Sequence, residues 1–171
     1  YENIPSINLI QDQNFNNKLS ALNILKIDSR EALANSGLQE IVTYTFISED
    51  KYFPKNIPIK EELTLANPIS IDLKIMRNSL YVNLLNACSK NFAKGLESIE
   101  LFEIGYIFQG IKEEEQKLQL AIVLSGYTEK KNWQSERKKY DFFDIKSKLM
   151  HLCEIYDFSN RIELVRSKET W

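Results

Sequence analysis

Ile99-Glu-Leu-Phe-Glu-Ile-Gly-Tyr-Ile-Phe108 and Leu118-Gln-Leu-Ala-Ile-Val-Leu-Ser125 decide the fold class. Both runs are rich in β-branched, aromatic and leucine side chains, short, and bounded by turn-forming or charged residues, so each reads as a strand. Lys112 to Lys117, with Glu113, Glu114 and Glu115 in succession, is a charged hairpin or loop between them. Gly105 interrupts the first run, and a missing side chain inside a strand marks a bulge or a close approach to the backbone. Gly126 ends the second run.

Upstream, Leu22, Leu25, Ala32 and Leu33 recur at helical spacing from about Lys18 and stop at Gly37, a helix terminator. Asp28 and Glu31 have capping-box spacing, which leaves open whether one helix or two fill this stretch. Leu38 to Ile47, rich in β-branched and aromatic residues, reads as a strand. Residues 48 to 62, with Pro54, Pro58 and many charges, form a solvated connection; Leu63 to Leu65 is a short extended piece, and Asn67-Pro68 a turn. Leu80 to Phe92, with Leu84, Leu85 and Cys88 on one side, is a helix broken by Gly95. Beyond a polar stretch around Trp133, Asp141 is placed to cap a helix reaching about Tyr156, with Phe142, Ile145, Leu149, Leu152 and Cys153 mostly at steps of three or four. Arg161 to Val165 suits a short strand. Residues 1 to 16, with Pro5 and several Asn, read as a linker or the end of a preceding domain. Helices interspersed among strands predict an α+β fold with a largely antiparallel sheet flanked by helices.

Composition narrows the function classes. In 171 residues, 43% hydrophobic and 11% aromatic side chains build a real core. A formal charge of -2 gives no global electrostatic case for nucleic-acid binding, so protein contacts come first. No run approaches the ~20 apolar residues of a membrane-spanning helix. The start Tyr1-Glu-Asn-Ile-Pro-Ser6 has neither Met nor a signal-peptide pattern, which predicts a segment of a longer chain. Cys88 and Cys153 read as buried thiols outside any metal-ligand cluster, and His151, mid-helix, as a packing or solvent residue. The five glycines stand isolated, so no phosphate loop or dinucleotide fingerprint is present. Glu113 to Glu115 suit a solvated loop better than a metal cage. Lys130, Lys131, Arg137, Lys138 and Lys139 surround Trp133 and Tyr140; a basic surface loop is the simpler reading, and an RNA-contacting module the alternative.

Five strings occur in one order: Gly37-Leu-Gln-Glu-Ile-Val-Thr-Tyr-Thr-Phe46, Leu65-Ala-Asn-Pro-Ile-Ser70, Met76-Arg-Asn-Ser-Leu80, Leu101-Phe-Glu-Ile-Gly105 and Asp141-Phe-Phe-Asp-Ile-Lys146. Together they resemble the bacterial-type phenylalanyl-tRNA synthetase beta subunit over residues 37 to 146, with Tyr1 to Ser6 similar to the family's junction out of the preceding domain. The resemblance implies a catalytic-like module over residues 17–171, cut short at its C-terminus: a degenerate class II synthetase fold without an active site. It implies an alpha subunit that carries the chemistry, an alpha-2 beta-2 tetramer, and a cytoplasmic parent enzyme that couples phenylalanine to its tRNA with ATP and magnesium. No cofactor is implied for this segment. The helix ending at Gly37 and the strand through Phe46 resemble a degenerate motif 1, the dimer-forming element, although the strand lacks the proline of active relatives. Leu22, Leu25, Ala32 and Leu33 are then the expected interface stripe, joined by Ile41, Thr43, Thr45 and Ile47 on one face of the strand.

An adenylate-forming site needs a motif 2 arginine, whose planar guanidinium holds the ATP α-phosphate and the substrate carboxylate as charge develops between them. If Glu103 stands for the acidic residue of the Arg-x-Glu pattern, Leu101 occupies the arginine position; a later register puts Gln109 there. No arginine lies between Arg77 and Arg137, so either register lacks it. Motif 3 falls beyond Trp171, and neither the metal cluster nor the editing site of the family has residues to assign here. Arg77 is expected to form a structural ion pair with a carboxylate such as Glu103 or Asp72. Gly37, Arg77, Glu103 and Gly105 are thus read as structural. The rival to a structural and interface domain is an active class II-like adenylating enzyme or amino-acid-binding paralogue.

Overall fold

A computed structural model describes residues 2–5, 19–51, 58–128, 133 and 136–158. Helix α1 spans Ala21–Asn35, and its N-cap Ser20 accepts a hydrogen bond from the Asn23 N–H at 3.3 Å. Asp28 and Glu31 lie inside this one continuous helix, which settles the choice between one segment and two. Gly37, at φ 91°, turns the chain out of the helix.

The strands quoted above form an antiparallel pair. Strand β4 (Ile99–Phe108) faces β5 (Gln116–Ser125) along its whole length, from Ile99 opposite Ser125 to Phe108 opposite Gln116. Between them runs the charged connection, tightened into a 3-10 turn at Glu113–Glu115. On the other side of β4, strand β1 (Gln39–Glu40) adds a short parallel partner, giving the order β1-β4-β5. Antiparallel pairing therefore dominates the sheet.

Alternation along β4 and β5 sends two sets of apolar side chains to opposite faces. Ile99, Leu101, Ile107 and Ala121 pack with Leu80, Leu84 and Cys88 at helix α2 (Tyr81–Ala93). Phe102, with Ile104, Leu120, Ile122 and Leu124 around it, packs with Leu33 and Leu38 at the end of α1. Helix α3 (Phe142–Ile155) lies on α1 and β5, and the Lys148 ammonium donates to the Ser36 carbonyl that closes α1. Asp141 caps α3, accepting from the N–H groups of Phe143 and Asp144. Cys88 and Cys153 are both buried and free, with burial raising the Cys88 thiol above its ordinary pKa.

The structure corrects the reading of Leu38 to Ile47 as one strand. Only Gln39 and Glu40 join the main sheet; Phe46 and Ile47 form β2, which pairs antiparallel with β3 (Ile75–Met76) in a separate two-stranded sheet. Leu63 ends a 3-10 turn at Glu61–Leu63 and is buried, with only Thr64 bridging Ile75. Leu85 is exposed on α2, whereas Leu84 and Cys88 are buried. Residues 6–18, Lys130, Lys131 and the strand expected at Arg161 to Val165 lie outside the described residues. No helix among the described residues is long and apolar enough to cross a membrane.

Candidate functional site

Arg77 follows β3 and is held by its own backbone before its side chain does anything. Its N–H donates to the Thr45 carbonyl and its carbonyl accepts from the Phe108 N–H, both at 2.9 Å. From this anchor the side chain crosses β4. Arg77 Nε donates to the Tyr106 carbonyl at 2.9 Å, while Nη1 donates to Glu103 Oε1 at 2.6 Å and to Thr43 Oγ1 at 2.9 Å. The Arg77 and Glu103 side chains are only 4% and 2% exposed. Two charges removed from water this completely persist only with partners on their remaining donors and acceptors. Thr43 supplies them: its hydroxyl donates to Glu103 Oε2 at 2.8 Å and its N–H to Oε1 at 3.3 Å. Asn83 of α2 completes the group, donating to Thr43 Oγ1 at 3.0 Å and to the Tyr44 carbonyl at 2.9 Å. The Thr43 hydroxyl thus accepts two hydrogen bonds and donates one, its full capacity. The partner of Arg77 is Glu103, not Asp72.

This ion pair accounts for Gly105. The Arg77 guanidinium lies directly over the glycine, so a Cβ there would overlap Nη2 and stand 3.4 Å from Cζ and 3.3 Å from Glu103 Oε1. Gly105 remains in register opposite Gln119 and is absent from the residues with positive φ, so there is neither a bulge nor a left-handed backbone. The close approach comes from a side chain.

The same pair breaks the strand. Ile41 makes the last ladder bond, its N–H donating to the Phe102 carbonyl at 2.9 Å. Two residues on, the Glu103 carboxylate takes the place of a main-chain acceptor for Thr43, and the chain stays extended without continuing the sheet. Alternation then turns Ile41 and Thr43 inward, with Ile41 against the α2 core and Ile47 buried further on. Val42 and Tyr44 point out, 83% and 74% exposed. The expected outward face, Ile41, Thr43, Thr45 and Ile47, is thereby reversed.

Helix α1 also divides. Ala32 and Leu33 are buried in the chain's own core because the C-terminal half of the helix rests on Phe102; they do not belong to an outward stripe. Leu22 and Leu25, in the N-terminal half, are 44% and 38% exposed, and Ile24 and Ile27 beside them are exposed as well. The Tyr156 hydroxyl ties this half to α3, donating to the Leu25 carbonyl at 2.9 Å. Between the 42–47 segment, the 3-10 turn Ile71–Leu73 and α2 lies an open groove of about 740 Å³, with Val42, Tyr44, Leu73, Asn83, Ala87 and Lys90 in its walls.

The positions expected to replace a catalytic arginine are placed differently from each other. Leu101 is buried against α2, packed with Leu80, Leu84 and Cys88; Gln109 is exposed in the hairpin, its N–H donating to the Glu115 carbonyl at 2.9 Å. In the basic-aromatic stretch, Arg137 pairs with Glu97 at 2.7 Å and sits 3.9 Å over the Tyr127 ring. Lys138 meets Asp141 at 3.1 Å and Asp144 at 3.5 Å, which raises its own pKa and lowers that of Asp141. These cations already have carboxylate neighbours, which weakens the case for an RNA contact here. His151 is exposed on α3, and Glu115 is engaged with the Lys112 N–H at 3.2 Å and Lys60 at 3.5 Å.

Sequence reasoning reached Arg77, Glu103 and Gly105 but missed Thr43 and Asn83 as their partners. No local signal marks Asn83, whose helical spacing is that of any half-exposed position. The outward placement of Val42 and Tyr44 was accessible in principle, since alternation permits just two faces.

The geometry can be set beside known proteins. The family described as phenylalanyl tRNA synthetase beta chain CLM domain matches residues 4–171. The phenylalanine--tRNA ligase beta subunit of Buchnera aphidicola subsp. Schizaphis graminum is 37% identical over 96% of this chain and 21% of its own. That of Bacillus subtilis is 30% identical over 98% of this chain and 21% of its own. The chain therefore spans about a fifth of the length of these relatives. A pyrrolysyl tRNA synthetase structure from Desulfitobacterium hafniense superposes with a TM-score of 0.58 at 18% identity, covering 80% of this chain and 45% of that one. At that identity the likeness is one of fold, that of a class II synthetase catalytic domain. Taken with the family match across nearly its whole length, this places the chain in the phenylalanyl-tRNA synthetase beta chain family, in its CLM domain.

Proposed function

We propose that this chain is a non-catalytic structural and subunit-interface module of phenylalanine-tRNA ligase. In this reading an alpha subunit performs the transfer of phenylalanine to its tRNA with ATP and magnesium, in a cytoplasmic alpha-2 beta-2 enzyme, and this module supplies shape and contact surface. The observation that carries the proposal is the set of large apolar side chains left outward on the motif 1-like helix and segment: Leu22, Leu25, Val42 and Tyr44. Val42 and Tyr44 stand together at the groove they share with Leu73 and Ala87, and Leu22 and Leu25 stand with Ile24 and Ile27 on α1, so each pair belongs to an apolar group that a partner would cover. The lack of catalysis is supported by Leu101 and Gln109, neither of which can hold a phosphate by charge.

The test uses the full-length beta subunit with its alpha subunit. Covering Val42 and Tyr44 is worth roughly 1.5–3 kcal/mol per side chain, so replacing both by Ser should weaken association by at least about a hundredfold. Leu22→Ser with Leu25→Ser should also weaken it, and Lys138→Ser with Lys139→Ser should not. Sedimentation of the complexes reads the result. Association indifferent to the apolar changes refutes the interface, and phenylalanine-dependent pyrophosphate exchange by this chain alone refutes the lack of catalysis.

A further inference from the structure

Between Glu40 and Phe46 the main chain is tied at both ends, by the Ile41 N–H on the Phe102 carbonyl and by the Arg77 N–H on the Thr45 carbonyl, and side chains hold the middle. Two anchors are buried: Glu103 on the Thr43 N–H and hydroxyl, and Arg77 on the Thr43 hydroxyl. The third is Asn83, whose amide donates to Thr43 Oγ1 at 3.0 Å and to the main-chain carbonyl of Tyr44 at 2.9 Å. The bond to Tyr44 lies at the surface, on the main chain of a residue whose side chain and that of Val42 are among the most exposed apolar ones of the described residues. Removing the Asn83 amide leaves the Arg77–Glu103 pair and both Thr43–Glu103 bonds intact. What it releases is the Tyr44 carbonyl, together with one bond to the Thr43 hydroxyl, and so the peptide between the Thr43 and Thr45 anchors that aims Tyr44 beside Val42.

We propose that Asn83 is a positioning residue for the contact with the alpha subunit: it holds the Val42–Tyr44 ridge in its binding conformation before the partner arrives. This rests on the interface reading above and adds a residue that need not touch the partner. A ridge already ordered in the free subunit spares the association the entropy of ordering it.

The experiment is a double-mutant cycle in the full-length beta subunit, with its dissociation constant for the alpha subunit and amide exchange of residues 42–45 as readouts. Asn83→Ala should weaken association about tenfold and speed exchange at residues 42–45 in the free subunit. Asn83→Asp, of the same size but without the N–H groups, should behave alike. In a Val42→Ser, Tyr44→Ser background, Asn83→Ala should change the dissociation constant by less than about twofold, because no apolar ridge remains to be positioned. An Asn83→Ala variant that binds as the parent does overturns the inference while leaving the interface standing. Equal losses in both backgrounds also overturn it, since they show a general structural role. If the Val42→Ser, Tyr44→Ser variant itself binds normally, the interface reading falls and this inference with it.

Discussion

Gly105→Ala isolates the physics of the buried pair in one methyl group. The new Cβ would occupy the place of Arg77 Nη2, so the guanidinium must move. A flexible surface arginine would swing aside at little cost. This one is tied by Nε to Tyr106 and by Nη1 to Glu103 and Thr43, and its side chain is 4% exposed. Hydrogen bonds to charged groups contribute roughly 1.5–3 kcal/mol, and disrupting a buried ion pair costs about 3–5 kcal/mol. Against this, alanine restricts the unfolded chain and returns about 0.4–1 kcal/mol. The balance is a net loss of about 2–4 kcal/mol. With a urea m-value of about 2 kcal/mol/M, the midpoint should fall by roughly 1–2 M. Circular dichroism during urea titration measures it. The decisive comparison repeats the change in an Arg77→Ala background, where the obstructing group is gone and Gly105→Ala should cost almost nothing. An unchanged midpoint in the first case, or the same loss in both, would show that the guanidinium is not what demands a glycine.

Three further outcomes follow from the same structure. Glu103→Gln should destabilise the chain by about 3–5 kcal/mol, because it leaves Arg77 buried without its counter-charge, while the double change Arg77→Met, Glu103→Leu should recover much of the loss. Chemical denaturation of the three variants checks this. Leu101→Arg should produce no pyrophosphate exchange and should cost at least about 3 kcal/mol, since it forces an unpaired charge into the core against α2. Tyr140 donates to Glu100, and burial, then that carboxylate, raises its pKa above the ordinary 10.0. The fold therefore keeps a proton that the unfolded chain releases from about pH 10 upward. Its stabilising contribution is whole below that pH and is lost as the pH rises through the raised value. Melting temperatures at pH 9 and pH 11 should accordingly fall further for the parent than for Tyr140→Phe, and parallel falls would refute the assignment.

The long paired strands and helices α2 and α3 were legible in the sequence because their signals are local: β4 and β5 declare themselves through β-branched and aromatic runs bounded by turn or charged residues, α2 and α3 through spacings of three to four. Gly105 was legible as a place where a side chain does not fit, and Arg77 as an ion-pair residue, because each is unusual where it stands. Which group fills the space over Gly105 was not. Arg77 meets Glu103 across 26 positions, Thr43 meets Glu103 across 60, and Asn83 meets Thr43 across 40. No repeat in the chain encodes such distances, since they arise only when α2 and the sheet pack together. The same holds for Leu38 to Ile47, whose β-prone residues specify an extended backbone but not whether a strand or a carboxylate receives its N–H groups. Alternation by itself determines that Ile41 and Thr43 share one face and Val42 and Tyr44 the other. The tertiary structure alone decided which face turns inward, because a buried charge pair beside Thr43 needs its hydrogen bonds far more than Val42 needs burial.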